Sequence, residues 1–329
     1  MLRLGIAGIG HLGKHHLRLS REIEDLELVG CYDTDPEVQK REREKGIRVF
    51  DSFDAMLREV DAVDLVVPTD VHYAMAKQAL ESGKHVFLEK PITETVNQAR
   101  ELVALAKDNN ITFQIGHIER FNPAITSLGA TSLEPRFIES HRLAQFQQRG
   151  TEVAVILDLM IHDIDIILSL VKSPVKSVEA SGVPVITNSV DIANARLTFE
   201  NGCVANITAS RISQKAMRKL RIFQRAAYIS IDFQQGTTEI YRLRDTGEEE
   251  SPNIPLILGE LEHDGQKKQI IYEQPKIEET NALKEELKSF IHAVENGERP
   301  VVSGEDGVRA LEVAQLIQEK VKEYSVLQS

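Results

Sequence analysis

The run Leu2-Arg3-Leu4-Gly5-Ile6-Ala7-Gly8-Ile9-Gly10-His11-Leu12-Gly13 opens the chain and decides its fold. An apolar strand over Leu2–Ile6 leads into three glycines, and a helix is predicted from about Gly10. Gly8 allows a tight turn, Gly10 lets the backbone approach a pyrophosphate, and Gly13 lets helix and strand pack closely. The N-terminus of the helix offers oriented N–H donors to phosphate. The run therefore predicts a dinucleotide site.

An acidic residue supports the same interpretation. Asp33 lies about 20 residues beyond Gly13, at the end of a second strand predicted over Glu27–Tyr32, where a carboxylate can accept a hydrogen bond from a ribose hydroxyl. Because a carboxylate there would repel a 2′-phosphate, NAD is favoured over NADP as the cofactor. The alternative is a glycine-rich turn with an unrelated surface aspartate.

Length, charge and cysteine content narrow the class of protein. A chain of 329 residues is long for one core, so two domains are expected. The formal net charge of −12 disfavours nucleic acid or an anionic membrane as partner, and an anionic substrate would need a local basic patch. Cys31 and Cys203 fit no metal-ligand spacing and suit a reducing cytosol. With no signal-peptide pattern and no uninterrupted apolar span, we expect a cytoplasmic protein.

The first domain is predicted over residues 1–121. Short apolar runs alternate there with helical patterns, which is typical of a parallel sheet built from βαβ units. Beyond the two strands already named, the pattern predicts strands over Val63–Val67, Lys84–Leu88 and Thr112–Gly116, and a helix over Thr95–Asp108. The predicted fold class of this half is an α/β Rossmann domain.

The second domain is predicted over residues 122–329, as an α+β domain with a largely antiparallel open sheet. Asn201-Gly202 predicts a hairpin, because this pair accepts positive φ angles. The acidic stretch Asp245–Gly265 is predicted to be an exposed loop. Further strands are predicted over Leu220–Phe223, Ala227–Phe233 and Glu239–Leu243, followed by a helix that stops at Gly297 and a last helix from near Ser303 to about Tyr324. This assignment of domains allows the last helix to pack against the first domain.

The run Glu89-Lys90-Pro91 marks the predicted chemistry of the first domain. It follows a predicted strand, and open α/β sheets bind their ligands at the carboxyl ends of the strands. Most lysines are solvated surface groups, but this position favours a functional role for Lys90. Pro68, Thr69 and His72 follow the third strand and are expected beside the cofactor.

Polar side chains interrupt the apolar segment Val153–Val171 of the second domain, which is predicted to be a buried helix. Their spacing of four, three and four residues predicts one polar stripe, made of Asp158, His162, Asp165 and Ser169. Burying such groups is costly unless they have partners or face a wet cleft. The alternatives are a structural stripe that pairs with loops or arginines, and a metal site at His162, Asp163 and Asp165. Adjacent helical residues diverge by about 100°, which disfavours the metal, and no metal is expected.

These motifs together resemble the glucose-fructose oxidoreductase / inositol dehydrogenase (Gfo/Idh/MocA) family of NAD(P)-dependent sugar dehydrogenases. The resemblance rests on Gly8–Gly13, Glu89-Lys90-Pro91, Asp158…His162 and the closing run Ser303-Gly304-Glu305-Asp306-Gly307. It implies a Rossmann domain followed by an open, mostly antiparallel sheet, an active site between them, and a homodimer or homotetramer formed through that sheet. The expected cofactor-binding residues are Gly8, Gly10, His11, Leu12, Gly13, Asp33, Pro68, Thr69, His72, Glu89 and Lys90.

One departure from the family pattern concerns the cleft wall. Many members carry a glycine pair shortly before the aspartate, whereas here only Gly150 is near, followed by Thr151-Glu152-Val153-Ala154. This difference puts a simple free-sugar substrate in doubt.

The resemblance also assigns the catalytic roles. Oxidising a secondary alcohol removes the hydroxyl proton while a hydride leaves the carbinol carbon. The pKa of histidine, about 6.5, suits a base at neutral pH, whereas that of lysine, about 10.4, would have to fall. We therefore expect His162 as general base, oriented by Asp158, with Lys90 bound to the substrate oxygen. Lys90 as the base stays the alternative.

Two observations suggest the substrate. The run Gly116-His117-Ile118-Glu119-Arg120-Phe121-Asn122-Pro123-Ala124 resembles a subgroup that oxidises the 3-hydroxyl of UDP-N-acetylglucosamine or its uronate. Separately, six basic residues lie between Arg211 and Arg225 with no acid among them, which suits a diphosphate. The alternatives for this basic run are a solvated surface and a subunit contact. The substrate-binding residues expected are Lys90, Arg120, Asn122, Arg142, His162, Arg211 and Lys215.

Two rival functions remain at this stage. One is a dehydrogenase of a free polyol or sugar such as an inositol, which would not bind UDP alone. The other is a non-catalytic NAD-binding sensor, which would need the cofactor pocket but not Lys90, Asp158 or His162.

Overall fold

In a computed structural model, the described residues are 1–129, 131–147, 153–245, 256–263 and 265–326. They divide into two compact units. The first contains residues 1–121 and 280–312, and the second contains 122–279 and 313–329. The segment 280–312, which the sequence analysis assigned to the second domain, thus clusters with the first unit.

The first unit is built on a parallel sheet of five strands among the described residues, in the order β2-β1-β3-β4-β5. Its strands are β1 Leu2–Ala7, β2 Leu26–Tyr32, β3 Ala62–Leu65, β4 His85–Glu89 and β5 Phe113–Gly116. The helices between them are α1 Gly13–Ser20, α2 Pro36–Glu44, α3 Phe53–Leu57, α4 Thr69–Glu81 and α5 Val96–Asp108, and a 3-10 turn at Ile118–Phe121 ends this part. The predicted Rossmann sheet is confirmed, although α1 begins at Gly13 rather than near Gly10.

The segment after residue 280 completes the core of the first unit. Helix α8, Ala282–Asn296, buries Leu287, Phe290 and Ile291 in the cluster that surrounds β1. The Phe290 ring packs edge-on against Phe87 of β4, with 5.8 Å between ring centroids. Beyond α8, Ile115 of β5 donates its backbone N–H to the Val302 carbonyl. A helix far along the chain therefore belongs to the first core because its apolar face fits there.

The second unit holds a sheet of nine strands within the described ranges, in the order β13-β14-β12-β11-β10-β6-β9-β8-β7. All pairings are antiparallel except β6 with β9. The strands are β6 Phe137–Leu143, β7 Val175–Val183, β8 Ile192–Phe199, β9 Val204–Ser210, β10 Met217–Gln224, β11 Ala227–Asp232, β12 Thr237–Asp245, β13 Leu256–His263 and β14 Gln266–Glu273. The helices are α6 Pro123–Thr126 and α7 Ile161–Leu170, and α9 Gly304–Val326 has its first residues in unit 1 and its remainder in unit 2. The predicted, largely antiparallel sheet and the hairpin at Asn201-Gly202 are confirmed.

The prediction of a loop over Asp245–Gly265 is wrong in part. Leu256–His263 forms β13, which pairs antiparallel with β14, while residues 246–255 and 264 lie outside the described residues. The apolar run Leu256-Ile257-Leu258 at the start of β13 was a local signal for a strand. The acidic, glycine and proline residues on both sides of this run concealed that signal.

The predicted helix over Val153–Val171 is also modified. It consists of a π-helical turn at Ile156–Met160, followed by α7. A π turn inserts one residue into the helical repeat, and such turns are frequent at functional sites. The predicted polar stripe does not share one environment, because Asp158 is about half exposed (43%) while Asp165 is buried.

Candidate active site

The glycine turn between β1 and α1 has the shape that a dinucleotide requires. Gly8 has a φ of +86°, which only glycine adopts readily, and a Cβ at Gly13 would overlap the Gly8 carbonyl oxygen. A Cβ at Gly10, by contrast, would meet no heavy atom within 4 Å. The middle glycine therefore faces open space, where a pyrophosphate can approach the backbone and the N-terminus of α1. These residues fit the cofactor.

Asp33 closes the same turn. Its Oδ2 accepts a hydrogen bond from the Ile9 N–H at 2.6 Å, and its Oδ1 accepts from the Asp35 N–H at 2.9 Å. The carboxylate thus lies against the glycine turn at the end of β2, which is the position expected for a ribose-binding acid. Its negative charge would disfavour a 2′-phosphate at that position.

Two loops at the same edge of the sheet surround Lys90. Pro68 caps α4 and Thr69 begins it, directly after β3. The His72 ring is buried, with Nδ1 2.8 Å from the Pro91 carbonyl and Nε2 2.9 Å from the Val67 carbonyl. Burial lowers the pKa of His72, and these carbonyl contacts oppose that shift. Because both ring nitrogens face the protein's own backbone, His72 ties the loop after β3 to the residue that follows Lys90.

Glu89 belongs to a buried charged cluster that sequence reasoning missed. His16 of α1 has Nδ1 2.8 Å from Asp64 Oδ2 and Nε2 3.3 Å from Glu89 Oε1. The side chains of His16 and Asp64 are at most 2% exposed. A sequence signal existed, since Asp64 is a single acid in the otherwise apolar run Ala62-Val63-Asp64-Leu65. Its partners are distant in the chain, so the pairing itself could not be predicted.

The charges of this cluster are coupled. Burial opposes a charge on His16, but attraction and hydrogen bonding to Asp64 and Glu89 outweigh it and raise the pKa of His16 well above its usual range. Burial also opposes ionisation of Glu89, but contacts with His16 and Lys90 hold the pKa of Glu89 below its usual range. Burial raises the pKa of Asp64, against the attraction of His16. The arrangement is that of an imidazolium held between two carboxylates.

In the second unit, Asp158 lies beside Arg211. The Arg211 Nη2 is 3.8 Å from Asp158 Oδ2, and the same nitrogen donates to the Val153 carbonyl. The Arg211 side chain is only 7% exposed, whereas that of Asp158 is 43% exposed. Arg211, which was predicted to bind the diphosphate of the substrate, is therefore buried beside Asp158 and supports it from the protein side. His162, on the first turn of α7, is half-buried.

Asp163, which follows His162 in α7, is held in the core by buried hydrogen bonds. Asp163 accepts a hydrogen bond from the Arg142 Nε at 2.6 Å and another from the Ser140 hydroxyl at 2.9 Å, and all three residues are buried. Arg142 was predicted to bind substrate. Its guanidinium is instead engaged in this buried ion pair, so we do not carry Arg142 into the proposed substrate site.

A family model described as an oxidoreductase family with an NAD-binding Rossmann fold matches residues 2–117, and a GFO/IDH/MocA C-terminal domain model matches residues 124–230. UDP-N-acetylglucosamine 3-dehydrogenase of Acidithiobacillus ferrooxidans is 36% identical over 316 residues, which cover 95% of each chain. A solved structure of the enzyme of that name and organism matches with a TM-score of 0.86 and 34% identity, over 98% of each chain. Myo-inositol 2-dehydrogenase of Thermotoga maritima is 24% identical, over 94% of this chain and 93% of that one.

The chain belongs to the GFO/IDH/MocA family of oxidoreductases. This membership confirms the resemblance, the Rossmann domain with NAD as its cofactor, and the class of enzyme. Of the helices in the described part of the chain, none is both long and apolar enough to cross a bilayer. The same residues contain no group of three or more His, Cys, Asp or Glu side chains arranged to hold a metal ion.

In this GFO/IDH/MocA protein, two further residues expected at the substrate have structural contacts. The Arg120 Nη2 is 3.9 Å from Asp306 Oδ1, within the first unit. Asn122 is the N-cap of α6, since its side-chain oxygen accepts the Ala124 N–H at 3.0 Å. Residues 150–152, on which the expected change in the cleft wall depends, lie outside the described residues.

The basic run between Arg211 and Arg225 does not form one patch. Lys219 pairs with Asp232 at 3.2 Å, and Arg221 pairs with Glu139 at 2.8 Å, so neighbouring strands neutralise both charges. Lys215 is exposed, before β10 begins. Of the two residues expected at a diphosphate, Lys215 is thus the one whose side chain faces solvent.

The cluster around His16 predicts a pH dependence of stability. A raised pKa in the folded state means that His16 stabilises the fold fully below its unfolded pKa of about 6.5, and that this contribution is lost as the pH rises through the folded value. We expect the difference in free energy of unfolding between wild type and His16→Asn to be flat below pH ~6. Above pH ~6.5 it should shrink by up to about 1.4 kcal/mol per pH unit.

Urea unfolding at a series of pH values measures this difference. His292→Asn is the matched control, because it makes the same substitution at a side chain that is 66% exposed. Parallel curves for wild type and His16→Asn from pH 6 to 9 would show that His16 does not titrate with a raised pKa.

Proposed function

We propose that the protein oxidises a secondary hydroxyl of a sugar to a ketone, with the 3-hydroxyl of UDP-N-acetylglucosamine or its uronate as substrate. The observation that carries this proposal is the 36% identity to a UDP-N-acetylglucosamine 3-dehydrogenase over 95% of each chain. The inositol dehydrogenases among the relatives are more distant, at 24% for the Thermotoga maritima enzyme. They support the chemistry of the reaction more than the identity of the sugar.

In the proposed mechanism, a residue of the second unit accepts the proton of the substrate hydroxyl. When bound, NAD supplies the acceptor for the hydride that leaves the carbinol carbon. His162 takes the hydroxyl proton as the general base, because the reference pKa of histidine, about 6.5, suits a base at physiological pH. Asp158 orients His162, and Arg211 lies 3.8 Å from Asp158.

Lys90 has a different proposed role. An ammonium is a donor without acceptor capacity, so it can hydrogen-bond the substrate oxygen and stabilise the negative charge that develops as the proton leaves. Its place after β4 is set by Glu89 on one side and by the His72–Pro91 contact on the other. Lys215 is the proposed contact to the diphosphate of the substrate.

The proposed reaction predicts turnover of a nucleotide sugar. We expect purified protein mixed with NAD and UDP-N-acetylglucosamine, or its uronate, to give NADH absorbance, and Lys90→Met to lower kcat by roughly 100-fold or more because a donor to the developing oxyanion is lost. Lys107→Met, at an exposed lysine near the end of α5, is the matched control and should keep wild-type activity.

Binding of UDP separates the remaining outcomes of that experiment. An inactive protein that still binds UDP would point to another nucleotide sugar. A protein that binds no UDP but reduces NAD with myo-inositol would be a polyol dehydrogenase, and the proposed substrate would be wrong. NAD binding without turnover of any sugar would favour the alternative function, a non-catalytic NAD-binding sensor.

The pH dependence of kcat/KM tests whether His162 is the general base. If His162 accepts the proton, the wild-type pH profile of kcat/KM falls on the acid side, where the imidazole is protonated. We expect His162→Asn to lower kcat/KM by roughly 100- to 10,000-fold and to remove that acid limb. A steady-state pH series with both proteins measures this, and an unchanged profile would leave Lys90 as the base.

We also propose that the protein is a cytoplasmic homodimer or homotetramer, assembled through one face of the nine-stranded sheet. Aromatic rings run across five neighbouring strands there, with centroids 4.9 to 5.6 Å apart. The members of this aromatic row are Phe137, Phe223, Tyr228, Tyr241 and Tyr272. Such contiguous apolar surface is typical of protein interfaces.

The aromatic row gives a testable prediction of assembly. We expect sedimentation equilibrium to give a mass two or four times that of the 36.9 kDa chain. Phe223→Glu, which places a charge among stacked rings at a residue 36% exposed, should shift the mass toward the single chain without unfolding it. A wild-type protein that sediments as a single chain at micromolar concentration would contradict the proposal.

A further inference from the structure

The proposed mechanism uses Lys90 but leaves the charged cluster behind it without a role. From Asp64 the contacts pass through the His16 ring to Glu89, and then from Glu89 to the backbone of Lys90. The Lys90 N–H donates to Glu89 Oε2 at 3.1 Å, while the other carboxylate oxygen, Oε1, is 3.3 Å from His16 Nε2. Each carboxylate oxygen of Glu89 therefore contacts a different group. The chain of contacts ends at the backbone of Lys90, the proposed catalytic residue.

The surroundings leave Glu89 little freedom. A Cβ at Gly116 of the neighbouring strand would come within 3.0 to 3.1 Å of the Glu89 carboxyl group, so the glycine makes room for it. The Phe87 ring packs edge-on against His16, with centroids 5.8 Å apart and an angle of 68°. Buried charges are costly unless they are paired, so rotation of Glu89 away from His16 would leave the buried imidazole with Asp64 as its one remaining carboxylate partner in this cluster.

We propose that His16 is a positioning residue for the dehydrogenase: held by Asp64, it fixes the Glu89 carboxylate, which sets the backbone of Lys90 and hence the position of its ammonium. The proposal rests on the proposed function only for the role of Lys90. The geometry that it describes lies entirely within the first unit.

Charged and titratable groups on several elements act on His16 or on its partners, besides His15 beside it in the chain. They are Asp64 on β3, Glu89 at the end of β4, and Lys90 and His72, whose charges act on Glu89 or respond to it. With both acids in place, the pKa of His16 lies well above its usual range. Without Asp64, only Glu89 opposes the effect of burial, so the pKa of His16 should fall toward its ordinary value. Neutral His16 then holds Glu89 less firmly.

The variant that tests this chain of contacts is Asp64→Asn, because it keeps the shape of the side chain and removes its charge. Histidine ring NMR should show a midpoint for His16 well above its ordinary pKa in the wild type and a lower midpoint in the variant. The 15N-labelled Lys90 amide, which reports its hydrogen bond to Glu89, should shift with the midpoint of His16 in each protein.

Kinetics tests the consequence for catalysis. We expect the kcat of Asp64→Asn to approach the wild-type value at pH 6 and to fall roughly 10- to 100-fold as His16 loses its proton, since small displacements of a catalytic group have effects of this size. The KM for NAD should change less than kcat. His292→Asn, an exposed histidine of the same unit, should reproduce the wild-type profile.

Three results would overturn the proposal: a wild-type His16 that titrates near its ordinary pKa, a Lys90 amide that ignores the titration of His16, or a variant whose kcat stays at the wild-type value while His16 is neutral. If Asp64→Asn does not fold, Gly116→Ala supplies the second perturbation. It should displace Glu89, move the Lys90 amide and lower kcat, and an unmoved amide would contradict the proposal. The two NMR signals need no substrate, so a wild type inactive toward UDP sugars refutes the proposed function alone.

Discussion

The parallel register of three central strands is the constraint on which the first unit depends. Ala7 of β1 pairs with Leu65 of β3, and Leu65 pairs with Leu88 of β4. Because the strands run in the same direction and end in register, the segments that follow them emerge at one edge of the sheet. The glycine turn, the Pro68 loop and Lys90 are therefore neighbours although about 80 residues separate the first from the last. The buried cluster depends on the same register. Asp64 and Glu89 come from the adjacent strands β3 and β4, and His16 comes from α1, the helix that follows β1.

The acidic character of the chain determines how its cations are used. The chain has a net charge of −12, and several of the basic residues singled out from sequence are paired with carboxylates within the protein. Arg142 is bound by Asp163, Arg221 by Glu139 and Lys219 by Asp232. A run of basic residues along the chain is consequently weak evidence for a phosphate site. Alternation along a strand sends its members to both faces, and antiparallel neighbours supply acids that the run itself lacks.

Local patterns predicted much of this fold, and long-range pairings account for what they missed. The strands β1, β2 and β4, the helix α5 with its Thr95 cap, and the hairpin at Asn201-Gly202 were predictable, since each depends on neighbouring residues. Strand β13 was missed although it begins with Leu256-Ile257-Leu258, because acidic, glycine and proline residues surround that run. In the candidate site, the glycine turn and Lys90 could be located from motifs. The partners of Asp64 could not, because His16 is 48 positions away in the chain and the two meet only once the sheet has formed.

The two proposed catalytic side chains share one structural arrangement. Lys90 follows Glu89, whose carboxylate is paired with the buried His16, and His162 precedes Asp163, whose carboxylate is paired with the buried Arg142. In each case the residue that faces the chemistry is next in the chain to an acid locked in the interior by a cation from another element. Buried ion pairs add little net stability compared with apolar packing of the same volume, but breaking one is costly. That asymmetry suits a catalytic scaffold, because it penalises every rearrangement of the backbone that carries the reactive group.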